Sequence, residues 1–136
     1  MFKLKFVADS KDMSSENSLY KILLVDDESD FLSVSTSFLR KSGFDVHSCI
    51  AADEVFPAVK NYKPDLIILD VKLNDQDGRT ICRQLKNNLL TKTIKIILQS
   101  AFPDVGREYH IYGAEEFILK PYTIDHLLSR INYHLK

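Results

Sequence analysis

Three short apolar runs, KILLV (Lys21 to Val25), DLIIL (Asp65 to Leu69) and IKIIL (Ile94 to Leu98), constrain this chain more than any other feature. An unbroken apolar run of this length is what a strand covered on both faces requires, whereas a strand with one wet face alternates. FDVHSCI and EEFIL are weaker and suit strands nearer a sheet edge. Between the runs lie helical patterns: Phe31, Val34 and Phe38 with Leu32 and Leu39; Ala52, Val55, Phe56 and Val59; and Ile81 with Leu85. The last pattern, Ile124, Leu127, Leu128, Ile131 and Leu135, forms one stripe along a helix. Gly43 and Gly113 read as helix stops, and Pro64 and Pro121 punctuate strand borders.

Five strand-then-helix units predict an α/β fold with a parallel sheet, because parallel neighbours need right-handed crossover connections. The chain has 136 residues, too few for a barrel of eight such units. The expected architecture is a flavodoxin-like doubly wound sandwich with strand order 2-1-3-4-5, which places a site beyond the carboxyl ends of the strands. Hydrophobic residues at 45% against only 4 Gly and 4 Pro exclude disorder of the whole chain. A net charge of -1 argues against a nucleic-acid partner, and no run approaches the length of a membrane span. Cys49 and Cys82 are too few for a disulfide framework and read as packing residues, so a cytoplasmic setting is expected. Residues 1–18, which include the polar stretch KDMSSENS, read as a flexible leader, leaving residues 19–136 as the folded domain.

The residues just after each strand carry the chemistry. Asp26, Asp27 and Glu28 follow the first strand, Asp70 the third, Ser100 the fourth and Lys120 the fifth. Each alone reads as a cap, a turn former or a surface charge. Caps and turns do not predict all of them together at one sheet edge. Clustered carboxylates repel and lose solvation, which a shared divalent cation relieves; Mg²⁺ fits, since it pairs one or two carboxylates with water and a phosphate oxygen.

KILLVDDE, LIILDVKLNDQDG, IILQSA and FILKPY resemble the receiver domain of bacterial two-component response regulators, from about Tyr20 to the C-terminus. The spacings, 43 positions from Asp27 to Asp70 and 30 from Asp70 to Ser100, are similar too. The resemblance implies that Asp70 is the phosphoacceptor and that Asp26, Asp27 and Asp70, with the backbone carbonyl of Lys72, hold Mg²⁺. It further implies that Lys120 binds the phosphoryl group, Ser100 is the switch hydroxyl and Phe117 the switch aromatic. Phe117 is then expected to rotate inward on modification. The implied partners are a sensor histidine kinase or a histidine phosphotransfer protein, and a downstream protein or second copy on the surface of the fourth helix, fifth strand and fifth helix. No nucleic acid or membrane partner is implied. The chain is expected to catalyse only its own phosphorylation and slow dephosphorylation. Because 15 residues follow Pro121, output is expected to pass through a partner, the chain being either a stand-alone receiver or a piece of a longer regulator.

Several positions depart from the family pattern. Asn74 stands where many members carry Pro, so a more mobile loop is expected. Lys72 and Phe102 flank the path of the hydrolytic water without offering it a carboxylate or amide, which predicts a long-lived phosphoryl group. Ser100 to Lys120 spans 20 positions and contains Pro103, which predicts a short or irregular fourth helix. His47, His110, His126 and His134 have no ligand-spaced partner, and Lys86, Lys92 and Lys95 read as a solvated face. A haloacid-dehalogenase-type hydrolase would need an acid where Lys72 stands, and a flavin site would be repelled by DDESD. A receiver-like interaction module that is never phosphorylated is the remaining alternative.

Overall fold

The computed structural model describes residues 19–136, so the leader expected over residues 1–18 lies outside the described residues. The three apolar runs become β1 (Lys21–Val25), β3 (Leu66–Asp70) and β6 (Lys95–Ser100), and the two weaker ones become β2 (Asp45–Cys49) and β7 (Glu116–Leu119). They form one parallel sheet in the order β2-β1-β3-β6-β7. This is the expected order once β4 (Lys72–Leu73) and β5 (Gln76–Asp77), a small separate antiparallel hairpin, are set aside.

Period-two alternation sorts the apolar side chains of the inner strands into two layers. Leu23, Val25, Ile67, Leu69, Ile96 and Leu98 face α2 (Val55–Tyr62) and α3 (Gly78–Lys86), burying Val55, Val59, Ile81, Cys82 and Leu85. Ile22, Leu24, Leu66, Ile68 and Ile97 face α1 (Ser29–Lys41) and α4 (Ile124–Leu135), burying Leu32, Leu39, Leu127 and Ile131. At roughly 1.5–3 kcal/mol for each fully buried aliphatic side chain, these two layers are the main favourable contribution to the fold. Gly43 and Gly113 both adopt positive φ, at 100° and 87°, at the stops expected for them.

Three expectations are corrected. On α1 the buried positions are Leu32, Ser35 and Leu39, while Val34 is 69% exposed, because the helix turns its narrower stripe to the sheet. Lys86 is not on a solvated face: its ammonium lies 2.8 Å from the Glu115 carboxylate and donates to the Ile94 carbonyl at 2.6 Å. The chain folds back so that the residue leading into β7 meets the end of α3, a pairing 29 positions apart in sequence. His134 also has a carboxylate partner, Glu116 at 2.7 Å, which Arg130 shares at 2.8 Å, because α4 packs along β7.

Between β6 and β7 the chain makes two 3₁₀ turns, Pro103–Gly106 and Tyr109–Tyr112, instead of an α-helix. The irregular crossover expected from its short span and Pro103 is therefore present. Among the described residues no helix is long and apolar enough to cross a membrane.

Candidate functional site

Strand register assembles the site. Asp26 follows the last residue of β1, Asp70 ends β3, and Ser100 ends β6. Backbone bonds continue the sheet past its formal ends: Asp26 N–H donates to Cys49, Val71 N–H to Gln99, and Lys120 N–H to Ser100 at 2.8 Å. Four residues far apart in sequence are thereby held at one edge of the sheet. Phe117 and Lys72 lie on the elements flanking it.

Asp26, Asp27 and Asp70 each offer a carboxylate oxygen, and these oxygens all lie within 4.8 Å of one another. Asp26 is fully buried and Asp70 nearly so. Lys120 answers both: its ammonium lies 2.7 Å from Asp26 and 3.4 Å from Asp70. Three carboxylates against one ammonium leave two negative charges uncompensated. At an effective dielectric of about 20, two like charges at such a separation repel by roughly 3 kcal/mol, more than a surface ion pair returns. Burial first, and then the Asp26 charge, push the Asp70 carboxyl up to about 6 despite Lys120. For Lys120, burial opposes the charge, but its bonds to Asp26 and Asp70 outweigh that and hold the ammonium above its ordinary pKa. The donor set, all hard oxygens with surplus negative charge at a partly open edge, suits a divalent cation such as Mg²⁺.

The other sequence-derived residues are placed as follows. Ser100 is buried, and its hydroxyl oxygen accepts the N–H of Phe102 at 3.1 Å. Lys72 opens the hairpin, and its ammonium stands 6.0 Å from the centre of the Phe102 ring, a cation–π distance. Phe117 packs into the layer beneath α2 and α3, against the chain of the first 3₁₀ turn at Gly106. Its ring is thus partly buried against that layer.

Asn74 adopts φ 56°, and its N–H donates to Asp27 at 2.9 Å, so this loop residue is tied to the acid cluster. Asn tolerates the left-handed region, while Pro could neither adopt that φ nor donate.

Sequence reasoning missed four contributors. Gly78 begins α3 so close to β3 that a β-carbon there would lie 2.1 Å from the Asp70 carbonyl oxygen. Phe31 places its ring 4.8 Å from the Lys120 ammonium. Gln99 donates to Asp26 at 3.0 Å, and Tyr122 in turn donates to Gln99. A polar Gln directly after the apolar run IKIIL, where β6 continues, was the one signal available.

Comparison with known proteins agrees with this fold. Residues 22–132 match the response regulator receiver domain family. The chain is similar to the CheY-like response regulator receiver domain protein of Methanospirillum hungatei, at 27% identity and a TM-score of 0.77, over 85% of this chain and 93% of that one. It is also similar to the BeF3-activated N-terminal receiver domain of Klebsiella pneumoniae RstA, at 29% identity and a TM-score of 0.78, over 85% of this chain and 98% of that one.

Proposed function

The chain belongs to the response regulator receiver domain family, and from that premise we propose that it takes a phosphoryl group onto Asp70 from the phosphohistidine of a sensor histidine kinase or histidine phosphotransfer protein. The observation that carries this reading is Lys120, whose ammonium bridges Asp26 and Asp70 across the sheet edge. A carboxylate attacks without a general base, since it is ionised once its charge is compensated. An oxygen of Asp70 forms the new bond to phosphorus, the phosphorus–nitrogen bond breaks, and the imidazole leaves with its electron pair.

Charge spreads over the equatorial oxygens of a loose transition state, so positioning and electrostatics supply most of the catalysis. Asp26, Asp27 and Asp70, with the Lys72 carbonyl that the family resemblance adds, would hold Mg²⁺. When bound, the ion supplies positive charge to those oxygens. Lys120 would supply a second positive charge to the phosphoryl group. The Ser100 hydroxyl hydrogen, whose oxygen accepts from Phe102, is free to donate to it.

The new charge then draws Ser100, and with it the segment that starts at Phe102, toward Asp70. Output passes to the face formed by the two 3₁₀ turns, β7 and α4, which presents Ile111, Leu119 and Tyr133 to solvent. A downstream protein or a second copy of the chain docks there. The protein acts in the cytoplasm, and its catalysis is confined to its own phosphorylation and slow dephosphorylation.

Mass spectrometry after treatment with acetyl phosphate and Mg²⁺ tests the reading. One added phosphoryl group is expected on the wild type and none on Asp70→Asn. An unmodified wild type would instead make this a receiver-like interaction module.

A further inference from the structure

Gln99 is an anomaly of the sheet. It lies in the inner strand β6, pairs in register with Asp70, and is completely buried. By alternation it shares the face of Ile97, where packing against α1 and α4 asks for an apolar residue. Burying an amide at such a position costs about 1–3 kcal/mol unless both of its ends are bonded.

Both ends are bonded, and the chemistry fixes which way the amide points. The carboxylate of Asp26 can only accept, so the Gln99 NH₂ faces it and donates to Oδ2 at 3.0 Å. The Gln99 carbonyl accepts the Tyr122 hydroxyl. Tyr122 is a committed donor: burial, followed by the Asp26 and Asp70 charges, raises its pKa and keeps the hydroxyl protonated. Its ring is held edge-on to Phe31, with centroids 6.1 Å apart.

Asp26 is thereby gripped on both oxygens. Its Oδ1 accepts the Glu28 N–H at 2.9 Å, and its Oδ2 accepts Gln99 together with Lys120. Lys120 is the partner that a phosphoryl group on Asp70 would claim, which leaves Gln99 as the side-chain donor fixing this oxygen.

We propose that Gln99 and Tyr122 are positioning residues for the divalent-cation site: the Tyr122 hydroxyl orients the Gln99 amide, and that amide pins the Asp26 carboxylate in its metal-binding orientation. The inference rests on the reading of Asp26 as a metal ligand. Hydrogen-bond partners of metal ligands are worth 10–100-fold in metal affinity in well-studied sites, because they fix the ligand before the ion arrives.

The test is calorimetric titration with Mg²⁺ alone of the wild type, Gln99→Leu, Tyr122→Phe and the double variant. Gln99→Leu is expected to weaken Mg²⁺ binding about tenfold and Tyr122→Phe several-fold. Tyr122 acts only through Gln99, so Tyr122→Phe should cost nothing further in the Gln99→Leu background. A merely structural role would instead lower the metal-free thermal midpoint and leave affinity alone. Unchanged or tighter Mg²⁺ binding in Gln99→Leu, or losses that multiply in the double variant, would overturn the proposal while leaving the phosphoacceptor reading intact. A wild type that binds no Mg²⁺ overturns both. If Gln99→Leu does not fold, Tyr122→Phe decides alone: unchanged affinity rejects the proposal.

Discussion

The ring of Phe117 rests on Gly106 so closely that a β-carbon on that glycine would come within 2.2 Å of it. Phe117 is seated in a notch that only a residue without a side chain can leave open. Gly106 belongs to the first 3₁₀ turn after Ser100, so the notch and the Ser100 hydroxyl lie on one short stretch of chain. Gly106→Ala is therefore expected to force the ring outward and to destabilise the fold by about 1–3 kcal/mol, as overpacking does. The displacement should show in the aromatic proton NMR shifts of Phe117, and unchanged shifts would contradict it.

The raised Asp70 pKa gives the metal-free protein a specific pH dependence. The folded value of about 6 lies above the ordinary 3.8. Its stabilising contribution is therefore complete below about pH 4 and is lost as pH rises through 6, by roughly 2–3 kcal/mol. In EDTA, the stability difference between wild type and Asp70→Asn should grow in favour of the variant across that window. Mg²⁺ added above pH 6 should reverse it. Urea titrations at stepped pH read both effects, and a difference that stays flat from pH 4 to 7 rules out this origin.

Asn74→Pro should be harmful here even though it restores a residue common in the family. It removes the N–H donated to Asp27 and demands a negative φ where the hairpin has 56°. A loss of about 2–4 kcal/mol is expected from the strain and the missing bond. Asn74→Gly, which keeps the N–H and accepts the φ, should lose less than 1 kcal/mol or so. Equal thermal midpoints for the two variants would contradict this account.

The Lys72 ammonium stands over the Phe102 ring, on residues two positions after Asp70 and Ser100, and the pair offers no group that orients an attacking water. Exchanging Lys72 for Asn and Phe102 for Glu supplies an amide and a carboxylate there. The acyl phosphate on Asp70 should then decay at least several-fold faster, in keeping with the size of general-base effects. Decay at the wild-type rate would remove the cation–π pair from the explanation.

Sequence reasoning worked where the physics is local or periodic. KILLV, DLIIL and IKIIL had to be inner strands because only burial on both faces tolerates unbroken apolar runs, and right-handed crossovers then left one economical order for the sheet. That order alone brought Asp26, Asp70, Ser100 and Lys120 to one edge. Tertiary structure decided what depends on approach distances between elements remote in sequence. Gly78 against the Asp70 carbonyl, Lys86 on Glu115, Asn74 tied to Asp27, and the Tyr122–Gln99–Asp26 chain all join residues whose meeting is set by how helices and loops pack across the sheet. No periodicity encodes such meetings, because a hydrogen bond is fixed by tenths of an ångström in three dimensions while a sequence pattern specifies only which face a side chain takes.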